Sequence, residues 1–182
     1  MPRPLLSDLI NVPMVTSLPA GPSDGMEILF LADATNGIVW HLRYRAASAS
    51  AYKWELVGGS CLMHAIDTSE GTTSASYVDL ATVGPQITLP LAGDYDLEYG
   101  AFVAGSAANY VFMTPKIGAA AAADIDCVQV WADSGNEAAH RLRKKRFTVA
   151  AASTLVKLQY RSGSGTTNWS QRVLYAMPVR VG

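Results

Sequence analysis

Between Gly93 and Phe102 three carboxylates, Asp94, Asp96 and Glu98, alternate strictly with Tyr95, Leu97 and Tyr99. Alternation places the acids on one face of a strand and the apolar residues on the other. Carboxylates at i, i+2 and i+4 could gather a calcium ion if loop carbonyls joined them, but no Asp/Asn/Gly calcium loop accompanies them. The reading that fits the composition is a solvated strand face. A glycosidase pair needs two carboxyls roughly 5–10 Å apart across a cleft, a spacing any i, i+2 pair on a strand meets without selecting for that chemistry. The dense basic run, Arg141-Leu142-Arg143-Lys144-Lys145-Arg146, holds five of the 14 Lys and Arg residues. It could bind phosphate or an anionic glycan. Basic residues where a strand begins, or on an edge strand, equally stay solvated, pair with acids or block stray sheet pairing. Charge pairing with an acidic strand of another subunit is a third option.

Other chemistry has little to stand on. His41, His64 and His140 are scattered, and no Ser or Cys sits in a G-x-S-x-G elbow. A triad built from distant residues is defined by geometry, not spacing. No P-loop or dinucleotide glycine pattern occurs. Cys61 and Cys127 lie far apart without C-x-x-C or Cys/His spacing, so buried free thiols are expected rather than a zinc site. No catalytic, cofactor-binding or metal-ligating residue is expected, and the chain is read as non-catalytic. The formal net charge of -1 offers no general attraction to phosphate backbones, so nucleic acid is not an expected partner. No apolar run of about 18 residues exists to span a membrane. Leu5-Leu6 is interrupted by Ser7 and Asp8 before a signal-peptide core could form.

The elements that must position these residues are strands. In 182 residues, 49% are hydrophobic and only 16% charged, so much side-chain surface must be hidden, part of it between chains. Residues 1–24 carry prolines at 2, 4, 13, 19 and 22 among Leu5, Leu6, Leu9, Ile10 and Val12. Proline forbids regular helix and removes ladder donors, which predicts an extended anchoring arm. The arm either docks into a neighbour or folds back over its own domain. Residues 25–66 read as a small antiparallel β module with strands at 26–31, 38–44 and 52–57. The first two are joined through Asn36-Gly37, a hairpin dipeptide. Three strands make only a thin core, so the module must lean on something larger. Residues 67–75, small and polar, read as a linker. Residues 76–182 hold eight strand-like runs, at 76–80, 86–91, 94–103, 109–115, 125–131, 145–152, 154–161 and 171–181, with a turn at Gly163-Ser164-Gly165. Eight short strands with Gly, Pro, Asn and Ser turns predict an eight-stranded jelly-roll-like sandwich, making the whole chain all-β. A short helix is expected only in the alanine-rich stretch 119–124.

In the last strand Val173, Tyr175, Met177 and Val179 share one face, while Leu174, Ala176 and Pro178 line the other. Tyr110-Val111-Phe112-Met113 is likewise apolar on both sides. A strand apolar on both faces must be covered on both. Within one sandwich only inner faces are covered, so Val173, Tyr175, Met177 and Val179 are expected at an oligomer interface.

Four segments resemble a module of tailed-bacteriophage virion proteins of the minor tail, fibre and head-fibre type. They are Val15-Thr16-Ser17-Leu18-Pro19, Asp24-Gly25-Met26-Glu27-Ile28, Gly37-Ile38-Val39-Trp40-His41-Leu42-Arg43-Tyr44-Arg45 and Tyr52-Lys53-Trp54-Glu55-Leu56-Val57-Gly58-Gly59. The chain departs from the family pattern at Met26, where that pattern has Gln. The segments at 155–161 and 172–181 are similar, more loosely, to trimeric jelly-roll heads of such proteins. The resemblance implies a homotrimer in the virion, held to capsid or tail proteins by its N-terminal region, with a head that projects and contacts a host surface glycan. A different class of reading is a soluble lectin-like carbohydrate-binding module, with Tyr110, Trp131 or Trp169 as sugar-stacking platforms. Against it, the place of Trp131 among Val128 and Val130 suggests core packing. A cell-wall-degrading enzyme is disfavoured, since no paired acid or metal set supports one.

Overall fold

A computed structural model describes residues 12–105, 109–132 and 139–182. Leu5, Leu6, Leu9 and Ile10 of the expected arm lie outside them. The described chain is all-β: β1 (Met14–Val15), β2 (Glu27–Asp33), β3 (Ile38–Tyr44), β4 (Trp54–Gly59), β5 (Leu62–Ile66), β6 (Glu70–Thr72), β7 (Gln86–Leu89), β8 (Gly93–Gly105), β9 (Asn109–Ile117), β10 (Val128–Ala132), β11 (Ala139–Val149), β12 (Thr154–Ser162) and β13 (Thr167–Val181). The helix expected at 119–124 is reduced to one 3-10 turn at Asp124–Asp126.

The strands form two sheets. The large one runs β1-β2-β3-β4-β13-β8-β11, with β5 and β6 also paired to β13; the small one runs β10-β9-β12-β7. Taking β5 and β6 together as one interrupted strand, the order β5/β6-β13-β8-β11 faces β7-β12-β9-β10. Successive strands cross between the sheets at every step but β9 to β10, which is the path of a jelly roll. Its first strand is therefore at 62–72 and not at 76–80, where the only pairing is the single bridge between Val78 and Tyr160. The expected linker at 67–75 is likewise replaced by β6, whose Glu70, Gly71 and Thr72 pair with Trp169, Asn168 and Thr167. Small polar residues suit this role because a Cβ at Gly71 would collide with the Asn168 side chain and the Thr167 carbonyl. The basic run, expected ahead of a strand at 145–152, instead lies within β11, which pairs along its whole length with β8.

The interior alternates as a half-buried strand requires. Tyr95, Leu97, Tyr99 and Val103 of β8 point inward, as do Leu174 and Ala176 of β13, Val156, Leu158 and Tyr160 of β12, and Val111 and Met113 of β9. The module is not a separate body. Trp40 of β3 is fully buried, stacks on Phe30 at 6.0 Å and meets Tyr95 of the sandwich at 6.2 Å. One hydrophobic core thus runs from Ile28 and Leu42 into the jelly roll. β4 reaches that body by pairing Glu55 and Trp54 with Arg180 and Val181. The hairpin between β2 and β3 forms where Asn36-Gly37 directs it: Gly37 takes φ +65, and Asp33 accepts from the backbone N–H groups of Thr35 and Asn36. For the described part of the arm, folding back prevails. Val12 is half-buried, Met14–Val15 adds to β2 as a parallel strand, and Val15 and Leu18 pack against the core.

Candidate functional site

The acidic ladder and the basic run meet each other. β11 lies beside β8 in a register that sets Arg146 opposite Asp96, Lys144 opposite Glu98 and Thr148 opposite Asp94. Arg146 donates from Nε and Nη2 to the two Asp96 oxygens at 2.8 and 3.1 Å, and this guanidinium holds the Asp96 carboxyl below the usual carboxylate range. Asp94 accepts from the hydroxyls of Thr148 (2.7 Å) and Ser50 (3.2 Å). Arg143 and Lys145 point to the other side of β11, where they bind the Cys127 and Ile125 carbonyls and the Asp126 carboxylate. The run is a zipper on an edge strand, its charges split between two faces. Among the described residues no group of three or more His, Cys, Asp and Glu side chains could hold a metal ion.

Above this ladder, the outward face of the large sheet carries a groove of about 370 Å³ lined by Cys61, Asp96, Glu98, Leu142, Lys144, Val173, Tyr175 and Met177. The structure brings Val173, Tyr175 and Met177 together here, half-exposed on β13, with Val179 half-exposed at a register shift. Their opposite neighbours Leu174, Ala176 and Pro178 are buried between the sheets. Two further apolar residues of this outward face escape sequence reading: Leu142 of β11, 60% exposed, which lines the groove, and Met63 of β5, 56% exposed, which lies beside it. Met63 stands opposite Tyr175 and Leu142 opposite Gly100, so the apolar surface crosses β5, β13, β8 and β11. Leu142 is visible in the sequence only as the apolar gap in a basic run.

The small sheet presents a different outward face. Trp131 of β10 and Tyr110 of β9 stand opposite each other, 55% and 49% exposed, with ring centroids 4.7 Å apart in an edge-to-face arrangement. The core role expected for Trp131 is overturned, since Val128 and Val130 point inward and alternation sends Gln129 and Trp131 outward. Trp169 is the reverse case. It is buried against Tyr160 at 5.1 Å and offers no sugar platform. Next along the face, the Arg161 guanidinium lies 3.5 Å from the centre of the Phe112 ring and binds Asp124 at 2.8 Å. The Tyr77 hydroxyl donates to Asp124 at 2.7 Å. Tyr77 first and Arg161 second hold the Asp124 carboxyl below its ordinary range. Nothing in residue spacing joins Tyr77, Phe112, Asp124 and Arg161; the sheet register does.

The remaining candidates are structural. His41 and Arg43 both hold Glu27, at 2.7 and 2.6 Å, on the outward side of the module. His64 Nδ1 accepts the Gln86 backbone N–H at 2.9 Å, and the His140 ring lies tilted against Phe102 with centroids 5.0 Å apart. Both cysteines are free thiols; Cys127 is buried, and burial pushes its thiol up, whereas Cys61 is half-exposed in the groove. A cleft of about 820 Å³ separates β1 and β2 from β7, with Phe30, Asp33, His64 and Gln86 among its walls. No helix among the described residues is long and apolar enough to cross a membrane.

No family model matches the chain, and no curated protein matches it. Among solved structures the chain is similar to dimeric latent PorU from Porphyromonas gingivalis, at 11% identity and a TM-score of 0.40 over 69% of this chain and 14% of that one. It is similar to infectious bursal disease virus Gx strain, at 11% identity and a TM-score of 0.40 over 77% of this chain and 40% of that one. It is similar to the C-terminal CBM6 of LamC, a marine laminarinase from Zobellia galactanivorans, at 15% identity and a TM-score of 0.36 over 64% of this chain and all of that one. The chain thus spans well under two thirds of the first two. At these TM-scores no role passes from them to this protein.

Proposed function

We propose that the chain is a non-catalytic structural component of a tailed-bacteriophage virion: a fibre, decoration or tail-associated protein whose N-terminal region is fixed to capsid or tail proteins and whose jelly roll projects as a homotrimer. The observation that carries the reading is the dense resemblance over residues 15–59. Those residues form β1 to β4 and continue the jelly roll's large sheet instead of hanging from it. A module built into the head sheet transmits position, as an attachment element must. The apolar groove around Val173, Tyr175 and Met177 supports self-association. The test is location. Mass spectrometry of purified particles, with gold-labelled antibody against the chain, is expected to find it in stoichiometric amount at one defined site on the virion. Particles free of the chain would end the proposal.

A second reading, that the head binds glycan either on the virion or as a soluble lectin-like module, is favoured by one specific observation, the solvent-facing Tyr110–Trp131 pair.

A further inference from the structure

We infer that the outward face of the small sheet is a binding site for a neutral pyranose chain, centred on Trp131 and Tyr110 and continued by Phe112 and Gln129. The inference rests on the glycan-binding reading just given and assigns it a place.

Large aromatic rings at half exposure cost free energy in water unless something covers them. What covers these two is indicated by their polar handles. Among the described residues the Trp131 indole N–H, the Tyr110 hydroxyl and the Gln129 amide have no hydrogen-bond partner, and all three residues are exposed. A flat apolar ring edged by an unused donor matches a pyranose, whose C–H face stacks while its hydroxyls hydrogen-bond. The platform is also held in place. Trp131 faces Tyr110 across the ladder, Gln129 faces Phe112, and Phe112 faces Arg161, so all four side chains project from paired strands and not from loops. Arg161 is pinned over Phe112 by Asp124, which fixes that ring before any ligand arrives. Little side-chain freedom is then left to lose on binding.

Charge decides the class of chain. Arg161, the cation that touches this platform, is held by Asp124, and Lys157 by Asp79, while Lys116 opposite Lys157 lies at the far end of β9 from Tyr110, so Arg161 offers an anionic polymer no free charge beside the aromatic pair. A second copy of the chain is the weaker occupant here. The aliphatic surface suited to it, with Glu98 as a charge lacking an in-chain partner among the described residues, lies on the opposite sheet.

The experiment uses the full-length chain. Trp fluorescence and titration calorimetry follow addition of cellohexaose, maltohexaose and chitohexaose, with a hyaluronan hexasaccharide as the anionic probe. Saturable binding of at least one neutral hexasaccharide is expected, with no gain for the anionic one. Trp131→Ala and Tyr110→Ala are each expected to weaken it about tenfold or more. Val57→Ser, which removes an exposed apolar side chain from β4 far along the other sheet, is expected to leave it unchanged. Thermal melts and sedimentation of every variant separate lost binding from lost folding. Absence of binding to all three neutral probes, binding untouched by both aromatic variants, or a Trp131→Ala chain whose only defect is a lower oligomeric state would overturn the site. Incorporation of Trp131→Ala into particles reads the virion proposal separately: normal particles without glycan binding in the parent would remove this site and leave that proposal standing.

Discussion

Arg172 and Glu70 meet inside the protein at 3.1 Å, the guanidinium fully buried and the Glu70 side chain 14% exposed. The guanidinium also donates to the carbonyls of Thr82, Gly84 and Thr68 and lies 5.7 Å from the Tyr160 ring centre, while its Nε finds no acceptor. Glu70 in turn accepts from the Thr82 backbone N–H and hydroxyl. The pair therefore staples the 82–85 segment to the first and last strands of the jelly roll. A buried ion pair adds little net stability, but breaking one leaves a charge uncompensated. Glu70→Gln is expected to cost about 3 kcal/mol at pH 7, the low end for such a break because Glu70 keeps some contact with water. Equilibrium urea unfolding measures it. The pH dependence has a definite sign. Thr82 first, and Arg172 after it, hold the Glu70 carboxyl below its usual range. A depressed folded value means that the contribution is complete above the unfolded value of about 4.3 and is lost as pH falls through the lower folded one. The gap between Glu70→Gln and the parent should accordingly narrow between pH 5 and pH 2; a gap constant to pH 2 would remove the carboxylate from this account.

At the scale of elements, β6 is where local signals and long-range pairing disagree most. Asp67 to Ala75 has the composition of a linker, yet Glu70–Thr72 is a strand because its partner, Thr167–Trp169, stands nearly a hundred residues away and supplies both the ladder and Arg172. Gly71→Val offers a direct check. In a linker the change would be harmless, whereas here the added side chain meets the Asn168 side chain and the Thr167 carbonyl, an overpacking expected to cost about 1–3 kcal/mol. Gly58→Ala is the control, since nothing lies within 4 Å of its Cβ position. Thermal midpoints of the two variants should separate by several degrees, Gly71→Val being the lower. Where the local chemistry is itself decisive, the sequence was enough to read an element: Asn36-Gly37 marks its hairpin, and strict alternation in Asp94 to Tyr99 marks which side is dry. Trp131 is a different case: its neighbours Val128 and Val130 suggest the core, whereas period two from those inward valines sends it outside. Trp169 was not legible. Between Ser170 and Val173 the ladder slips, with Gln171 at φ +49, so residues 167 and 169 face inward while 173, 175 and 177 face outward, although all are odd-numbered. A bulge erases parity, and no residue type on either side of it announces the slip.

At the scale of the whole molecule, the two outward faces of the jelly roll are chemically unlike, and this asymmetry orders what each can do. One face is a fixed aromatic shelf with neutral donors. The other is an aliphatic surface that spans four strands from Met63 to Leu142, with a groove of Cys61, Val173, Tyr175, Met177 and Leu142 in it and charges along one flank. Contiguous apolar surface of this kind mostly marks contact with another macromolecule. An apolar surface with Leu142 at one margin and Met63 at the other has different edges, which suits a head-to-tail contact, and such contacts close into rings when the rotation allows. The proposed homotrimer is the ring that resembles the jelly-roll heads of virion proteins. Sedimentation at micromolar concentration is therefore expected near three times the 19.4 kDa chain mass. Leu142→Glu and Met63→Glu place one charge at each margin without touching the interior, as both side chains are more than half exposed. Each should shift the chain toward monomer and make its thermal midpoint less dependent on concentration. Because the two residues lie at opposite edges of one apolar surface, a head-to-tail trimer predicts that either substitution alone weakens every interface in the ring, since each interface uses both edges. A parent that sediments as monomer, or a pair of charged variants that sediment as the parent does, would leave the groove without a sister chain to cover it and would move the search for its occupant to the other proteins of the particle.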